Sequence, residues 1–316
     1  MVAQEIGINV AGGAVDADVA DPCPVCGAAE APFYRRGIVH RHYPIPGLYE
    51  TRRCDACTLE WVSPALSDAQ IASFYPEEYY AHQGTDRPSR WSRLVAFLGA
   101  DVRSKEPKLE RSGRMLDIGC GNGAALRLYS ARGWEAVGVN FSGNPKDYEQ
   151  RVLIGKFSDI DFGSETFDYV RLNHTLEHLP DPVESVRKIS EITKEGSTLF
   201  IAVPNARSWA YKLFGGFWWN YGVPCHLFVF NRASLTRLLA DNGFEITAVR
   251  EASDFAAITG SLQMWLNRKN GRPSNDGFVF RSKLLRIAAH GLAKVMDLFA
   301  TGDCIEVTAV RRGASV

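Results

Sequence analysis

No uncharged apolar stretch in this 316-residue chain approaches the roughly 18 residues that span a bilayer, so no membrane-crossing helix is expected. A surplus of cations is also missing: Lys plus Arg number 36, and Asp plus Glu number 36. A nucleic-acid coat needs excess positive charge for its phosphate contacts, so that class is set aside. The first 34 positions contain no Lys or Arg and five acids, Glu5, Asp16, Asp18, Asp21 and Glu30. That is the opposite of a secretory signal, and a cytoplasmic chain is the expectation. Cysteine is scarce. Seven are too few for a disulfide scaffold of this length, and the odd count fits a reducing compartment. What is present is ordinary for a globular enzyme with a sizeable core: 46% apolar and 23% charged residues.

Four of the seven cysteines form two pairs, Cys23-Pro-Val-Cys26 and Cys54-Asp-Ala-Cys57, with 27 residues between the pairs. Each C-x-x-C turn aims two thiolates at one point, and two such turns supply the four-sulfur tetrahedron that zinc prefers. Gly27 follows the first pair, where the turn needs a left-handed residue. Thr58 holds the equivalent place after the second. Two disulfides and a thioredoxin-like redox pair are the alternatives. A redox pair normally opens a helix in a βαβ unit, whereas Pro22 and Pro24 suit a knuckle better. The remaining three cysteines, Cys120, Cys225 and Cys304, are spread widely.

Along the chain, residues 1–20 lack periodicity and read as a disordered tail. Residues 21–65 form the metal module, with an aromatic and basic stretch from Phe33 to Tyr43 suited to short strands. Residues 66–110 read as a helical connector: a helix starting at Ser67–Gln70, an aromatic patch from Phe74 to Tyr80, and a second helix over Arg90–Asp101. From 111 to 316 strands alternate with helices. Strands are expected at 114–118, 135–139, 151–154, 167–172, 198–203, 245–249 and 304–310. Asp181-Pro182-Val183-Glu184 starts a helix with an acidic cap and a proline at its first position, and Asn231 caps another that Gly243 closes. This alternation means an α/β fold with a mostly parallel sheet covered on both faces.

The most informative segment is Asp117-Ile-Gly119-Cys120-Gly121-Asn122-Gly123. A glycine-rich turn after the first strand of the α/β region lets a cofactor approach the backbone. Gly119-x-Gly121-x-x-Ala124 also satisfies the dinucleotide fingerprint, so an NAD-dependent oxidoreductase is a rival. Asp117 separates the two, because a carboxylate there repels a pyrophosphate and holds an ammonium group.

With this motif the chain resembles the class I S-adenosylmethionine-dependent methyltransferases. Phe167-Asp168-Tyr169-Val170, Leu176-Glu177-His178-Leu179-Pro180-Asp181-Pro182, His226-Leu227-x-x-Phe230 and Gly243-Phe244 extend the resemblance from about Arg114 to Phe244. The branch it is most similar to often carries an N-terminal C-x-x-C/C-x-x-C module and is common in bacterial glycan and sugar pathways. The resemblance implies a Rossmann-like, doubly wound, seven-stranded sheet with a small zinc-ribbon-like module in front. It implies S-adenosyl-L-methionine as cofactor, with structural zinc on Cys23, Cys26, Cys54 and Cys57. Cofactor contacts are expected from Asp117, Gly119, Cys120, Gly121, Asn140, Phe141, Phe157, Ser158 and Asn173. Asn140 stands where the family normally has an acid that holds both ribose hydroxyls, so looser or rearranged ribose binding is expected. A non-catalytic, methyltransferase-like binding module is the rival that this departure favours.

On the acceptor side, methyl transfer needs alignment, exclusion of water and often removal of a proton. His178 is the expected base and Glu177 its orienting partner, with His174 and His226 as further candidates. A cluster of His174, Glu177 and His178 also resembles the cation-binding set of some quinone-pathway methyltransferases. The aromatic segment Phe217–Phe228 suits a sugar ring or a hydrophobic lid. The expected acceptor is a saccharide, nucleotide-sugar or related small molecule, methylated on oxygen or nitrogen. Residues 281–299 carry an apolar face (Leu285, Ala288, Leu292, Val295, Phe299) and a partly basic one (Arg286, His290, Lys294). The apolar face is expected to pack on its own domain or on a second subunit of a homodimer, with peripheral membrane contact as the alternative.

Overall fold

The computed structural model describes residues 21–29, 31–43, 45–75, 106–269, 276–299 and 301–313. The tail expected at 1–20, the helix expected at Arg90–Asp101 and the Glu77–Tyr80 part of the aromatic patch lie outside the described residues. The chain begins with three short strands, β1 (Phe33–Ile38), β2 (Tyr49–Arg53) and β3 (Glu60–Val62), followed by helix α1 (Asp68–Ser73). Next come β4 (Arg114–Ile118), α2 (Ala124–Ser130), β5 (Glu135–Asn140), β6 (Arg151–Ile154), β7 (Phe167–Asn173), α3 (Pro182–Glu191) and β8 (Thr193–Pro204). The last part contains α4 (Trp209–Phe214), β9 (Phe228–Val229), α5 (Arg232–Asp241), β10 (Phe244–Ala252), α6 (Ala256–Asn267), α7 (Phe278–Arg281), α8 (Lys283–Asp297) and β11 (Cys304–Arg311).

Seven strands form one sheet in the order β10-β11-β8-β7-β4-β5-β6. β6, β5, β4, β7 and β8 pair in parallel, and β11 is antiparallel to both β8 and β10. This is the expected Rossmann-like α/β arrangement. The central strands are apolar on both faces because helices cover both, and Leu116, Ile118, Val170, Leu172, Leu199 and Ile201 are wholly buried. The expected helix starts form as their residues dictate. Asp181 accepts a hydrogen bond from the Glu184 amide ahead of Pro182, and Asn231 accepts from Ala233 and Ser234. The strand order reverses beside β4, which has β5 on one side and β7 on the other. The crevice at the carboxyl ends of these strands is where such sheets place ligands.

The small sheet has the order β1-β2-β3-β9. Its fourth strand pairs Val229 with Glu60 and Phe228 with Trp61, so the N-terminal sheet is completed by a segment far along the chain.

Helix α8 corrects one expectation. Ala289 and Ala293 are its buried residues, while Leu292, Val295 and Phe299 face solvent. Instead of its apolar face, the helix packs its small and polar side against the body. Lys294 donates to the Ser253 carbonyl at 2.7 Å, and the Arg286 guanidinium lies 4.0 Å from the centre of the Phe255 ring. Two alanines allow close approach that the leucines would obstruct.

Candidate active site

Two matching turns build the cysteine cluster. The Gly27 amide donates to the Cys23 carbonyl and the Thr58 amide to the Cys54 carbonyl, both at 2.9 Å. Gly27 has φ +71° and Thr58 φ +56°, so threonine takes the left-handed conformation that glycine takes in the first turn. Cys23 and Cys57 sulfurs lie 3.5 Å apart, as do those of Cys26 and Cys54, and all four sulfurs fall within 4.8 Å of one another. A disulfide needs about 2.05 Å, so the four thiols are free, and their spacing and chemistry suit a tetrahedral zinc ion.

A cleft of about 670 Å³ opens at the carboxyl ends of β4, β5 and β7. Of the residues expected to meet a cofactor, Gly119, Gly121, Asn140, Phe141, Phe157, Ser158 and Asn173 line it. Gly119 has φ +76°, and a Cβ there would come within 2.3 Å of the Thr175 hydroxyl, so only glycine fits the bend. Cys120 and Asp117 stand behind the lining. The Cys120 thiol is buried against Gly138, where an added Cβ would approach its sulfur to 2.7 Å, and burial pushes it up to about 12. It packs the turn onto β5.

Asp117 is fully buried, and its Oδ1 accepts from Arg171 Nη1 at 2.8 Å. Its Oδ2 is buried without a hydrogen-bond partner. Burial raises the Asp117 pKa, and the Arg171 guanidinium opposes that rise. Arg171 in turn donates through Nε to Glu106, whose other oxygen accepts from the Tyr129 and Tyr169 hydroxyls. Asn140 is turned toward the glycine bend. Its Oδ1 accepts from the Gly121 amide at 3.0 Å, and its Nδ2 donates to the Gly121 carbonyl and the Tyr148 hydroxyl. Both ends of the amide are therefore engaged with the protein, and Asn140 pins the turn.

The loop after β6 is fixed by Lys188 of α3, whose ammonium donates to the carbonyls of Phe157, Ser158 and Ile160. Burial lowers the Lys188 pKa. Neither Lys188 nor Arg171 stood out in the sequence, although Arg171 gave a signal: it is the one cation inside the strand run Phe167–Leu172. Tyr75 showed only as a member of the Phe74–Tyr80 aromatic patch, and Tyr148 gave none.

Beyond the bend, His174 and His178 line the same cleft, while Glu177 and His226 lie behind them. His174 has φ +53°, one of two non-glycine residues with positive φ among the described residues. The His178 Nδ1 lies 2.9 Å from the Cys225 carbonyl, which only accepts, so that nitrogen carries the proton and Nε2 is the basic one. The Tyr75 hydroxyl lies 2.8 Å from the same Nδ1. Burial holds His178 below the usual histidine range and brings His226 down to about 3. Glu177 is wholly buried, with both carboxylate oxygens lacking hydrogen-bond partners. Burial pushes its pKa up, but His174, His178 and His226 outweigh that and leave it below its ordinary value. His174 Nδ1 is 3.4 Å from Glu177 Oε1. The cluster also differs from the expected His174, Glu177 and His178 set. The carboxylate and two ring nitrogens brought within 4.8 Å belong to Glu177, His178 and His226.

Among the described residues, no helix is long and apolar enough to cross a membrane. A family model described as a methyltransferase domain matches residues 80–249. A ubiquinone biosynthesis O-methyltransferase of Stutzerimonas stutzeri (strain A1501) is 28% identical over 158 residues, which are 46% of this chain and 67% of that protein. Its counterpart in Pseudomonas entomophila (strain L48) is 27% identical over 160 residues, 47% and 68% of the two chains. Among solved structures, a SAM-dependent methyltransferase from Archaeoglobus fulgidus aligns with a TM-score of 0.47 and 20% identity, covering 74% of this chain and 99% of that one.

Proposed function

We propose a specific reaction for this protein from one premise: the chain belongs to the methyltransferase-domain family and is an S-adenosylmethionine-dependent methyltransferase. The reaction is transfer of a methyl group to a hydroxyl of a small acceptor. The observation that carries this reading is a shared cleft: the Gly119–Gly121 bend and the imidazoles of His174 and His178 line one space of about 670 Å³. A volume in this range encloses a ligand of cofactor size.

The residues present fit the cofactor at its amino-acid end. Asp117 stands directly behind the bend with its Oδ2 unpartnered, so its carboxylate favours an ammonium group at the Gly119–Gly121 backbone that lines the cleft. At the ribose end the fit is looser, because the Asn140 amide is already engaged with Gly121 and Tyr148. Phe157 and Ser158 are assigned to the adenine and Phe141 and Asn173 to the cleft wall. When bound, the cofactor would supply an electrophilic methyl group on a sulfonium, with a neutral thioether as the leaving group. His178 takes the acceptor proton on Nε2, because the Cys225 carbonyl fixes its tautomer. Glu177 stabilises the imidazolium formed, and His174 and His226 complete its surroundings. The Cys23, Cys26, Cys54 and Cys57 tetrad holds structural zinc.

A hydroxyl acceptor is supported by the relatives named as O-methyltransferases. A saccharide or nucleotide-sugar remains the proposed acceptor, supported by the sequence resemblance alone: Trp218, Tyr221 and Phe228 of the aromatic segment are buried in the core, and none of Phe217–Phe228 lines the cleft. Calorimetric titration with S-adenosylmethionine tests the core of the reading. Asp117→Ala should abolish binding, and unaltered affinity would sink the assignment. A second reading rests on the buried Glu177 carboxylate, which accepts no hydrogen bond and has His174 at 3.4 Å, and which with His178 and His226 forms a cation-ligating trio. Equilibrium dialysis with manganese, comparing the intact chain with Glu177→Gln, decides it. Equal uptake leaves Glu177 as partner of the base.

A further inference from the structure

The segment containing α6, α7 and α8 lies outside the family match, which ends at residue 249. Helix α8 turns its apolar side outward. Leu284, Ile287, Leu292, Val295, Leu298 and Phe299 are each at least half exposed, with Leu284 at 75% and Phe299 at 83%. From Leu284 to Val295 this face runs about 17 Å at 1.5 Å per residue. Phe278 on α7 and Trp265 and Leu266 at the end of α6 are exposed as well. Scattered exposed leucines need no explanation, but a continuous helical stripe flanked by exposed aromatics does.

Charge identifies what covers it. Arg268, Lys269, Arg281 and Lys283 are exposed at the end of the trio where α6 stops and α8 begins. The Arg268 guanidinium lies 3.9 Å from the centre of the Trp265 ring. Asp276 pairs with Arg281 at 3.0 Å and offsets its charge, which leaves an excess of three cations, Arg268, Lys269 and Lys283, at this end. At the far end of α8, Asp297 points inward and accepts from Trp209 Nε1 and from the amide and hydroxyl of Ser253. Asp297 is the one acid of α8, so pairing two copies antiparallel along this helix would bring the cations of each against no outward carboxylate of α8 itself. Anionic headgroups supply that complement, and the acyl boundary beneath them takes the apolar stripe.

We propose that the outward face of α8, with the exposed side chains of α6 and α7, docks this protein on an anionic lipid surface. The helix lies in the interface plane, its leucines at the headgroup boundary and Arg268, Lys269, Arg281 and Lys283 among the headgroups. The proposal is independent of the methyl-transfer reading, because its readout is partitioning and not turnover.

Co-sedimentation of the full chain with phosphatidylcholine vesicles, with and without phosphatidylglycerol, tests it. Binding is expected with phosphatidylglycerol and should fall steeply as salt is raised. Leu284→Glu with Leu298→Glu should reduce the partition coefficient roughly tenfold or more, because both side chains are lost from the apolar boundary. Both positions are exposed, and an unchanged thermal midpoint establishes that the variant is folded. Arg281→Gln with Lys283→Gln should remove the preference for phosphatidylglycerol. Failure of the intact chain to sediment with either vesicle overturns the proposal, as does sedimentation that the leucine substitutions leave unchanged. A dimer by light scattering that dissociates on the same substitutions would assign the face to a second copy and overturn it equally.

Discussion

Threonine at position 58 adopts φ +56° because the second knuckle must make the same turn as the first. A β-branched residue in the left-handed region costs roughly 1–2 kcal/mol, part of which glycine gives back in unfolded-state entropy. Thr58→Gly should therefore stabilise the protein by about 1 kcal/mol, read as a higher midpoint in denaturant. A lower midpoint would show that the threonine side chain supports the knuckle. A second residue-scale expectation concerns His42, whose Nε2 lies 2.7 Å from the Trp219 carbonyl. Burial, with the nearby His40, lowers it to about 4. The sign follows from linkage. Between pH 6.5 and 4 the unfolded chain takes up a proton that the folded chain refuses, so stability is lost as pH falls through that window. His42 should contribute about 3 kcal/mol to that loss. Denaturant titrations at several pH values should show a shallower acid slope in His42→Asn, and an unchanged slope would remove His42 as its source.

At the scale of elements, a buried polar network joins the small sheet to the segment leading into the acceptor side. Glu60 on β3 is wholly buried and accepts from Thr51 on β2, from Tyr211 on α4 and from Tyr221, with both tyrosine hydroxyls at 2.5 Å. Arg35 on β1 donates to Tyr211 at 3.3 Å and lies over the rings of Tyr211 and Tyr221. Tyr211→Phe deletes one donor and leaves a buried carboxylate oxygen unpaired, a loss of about 1–3 kcal/mol. Thermal unfolding of this variant against the exposed control Tyr34→Phe measures it, and equal midpoints would mean that the network reorganises at no cost. This network was not legible in the sequence, because its members are spread from Arg35 to Tyr221 and none belongs to a periodic pattern. The elements with local causes were legible: the apolar strand β4, the proline-started helix α3, the glycine bend and the paired cysteines. Strand β9 is two residues long, and its pairing with β3 depends on tertiary contact alone. The stripe on α8 showed which residues share a face, but periodicity does not say which face meets the body. The small side chains of Ala289 and Ala293 settled that.

At the scale of the whole molecule, the cysteine cluster and the acceptor-side histidines are joined by continuous backbone bonding. The Asn231 side chain donates to the Cys57 carbonyl, and β3 runs from the second knuckle into its pairing with β9. The Val62 amide donates to the Leu227 carbonyl, and the Leu227 amide donates to the Glu177 carbonyl. His226 precedes this double anchor directly. The Gly119–Gly121 bend and Asp117 belong instead to the β4 end of the seven-stranded sheet, held by Asn140 and Arg171. Zinc at the proposed four-cysteine site would contribute folding free energy to the segment that holds it, so its removal should loosen β3, then β9, then the Glu177 and His226 positions. Chelation of the full chain should accordingly reduce methyl transfer more than it reduces S-adenosylmethionine affinity. Isothermal titration of the cofactor before and after chelation, alongside turnover of an acceptor, separates the two sides. Cofactor affinity that falls in step with turnover would show that the cluster supports the whole fold and not the acceptor side. Turnover that survives full loss of zinc would show that the shared sheet holds without the metal.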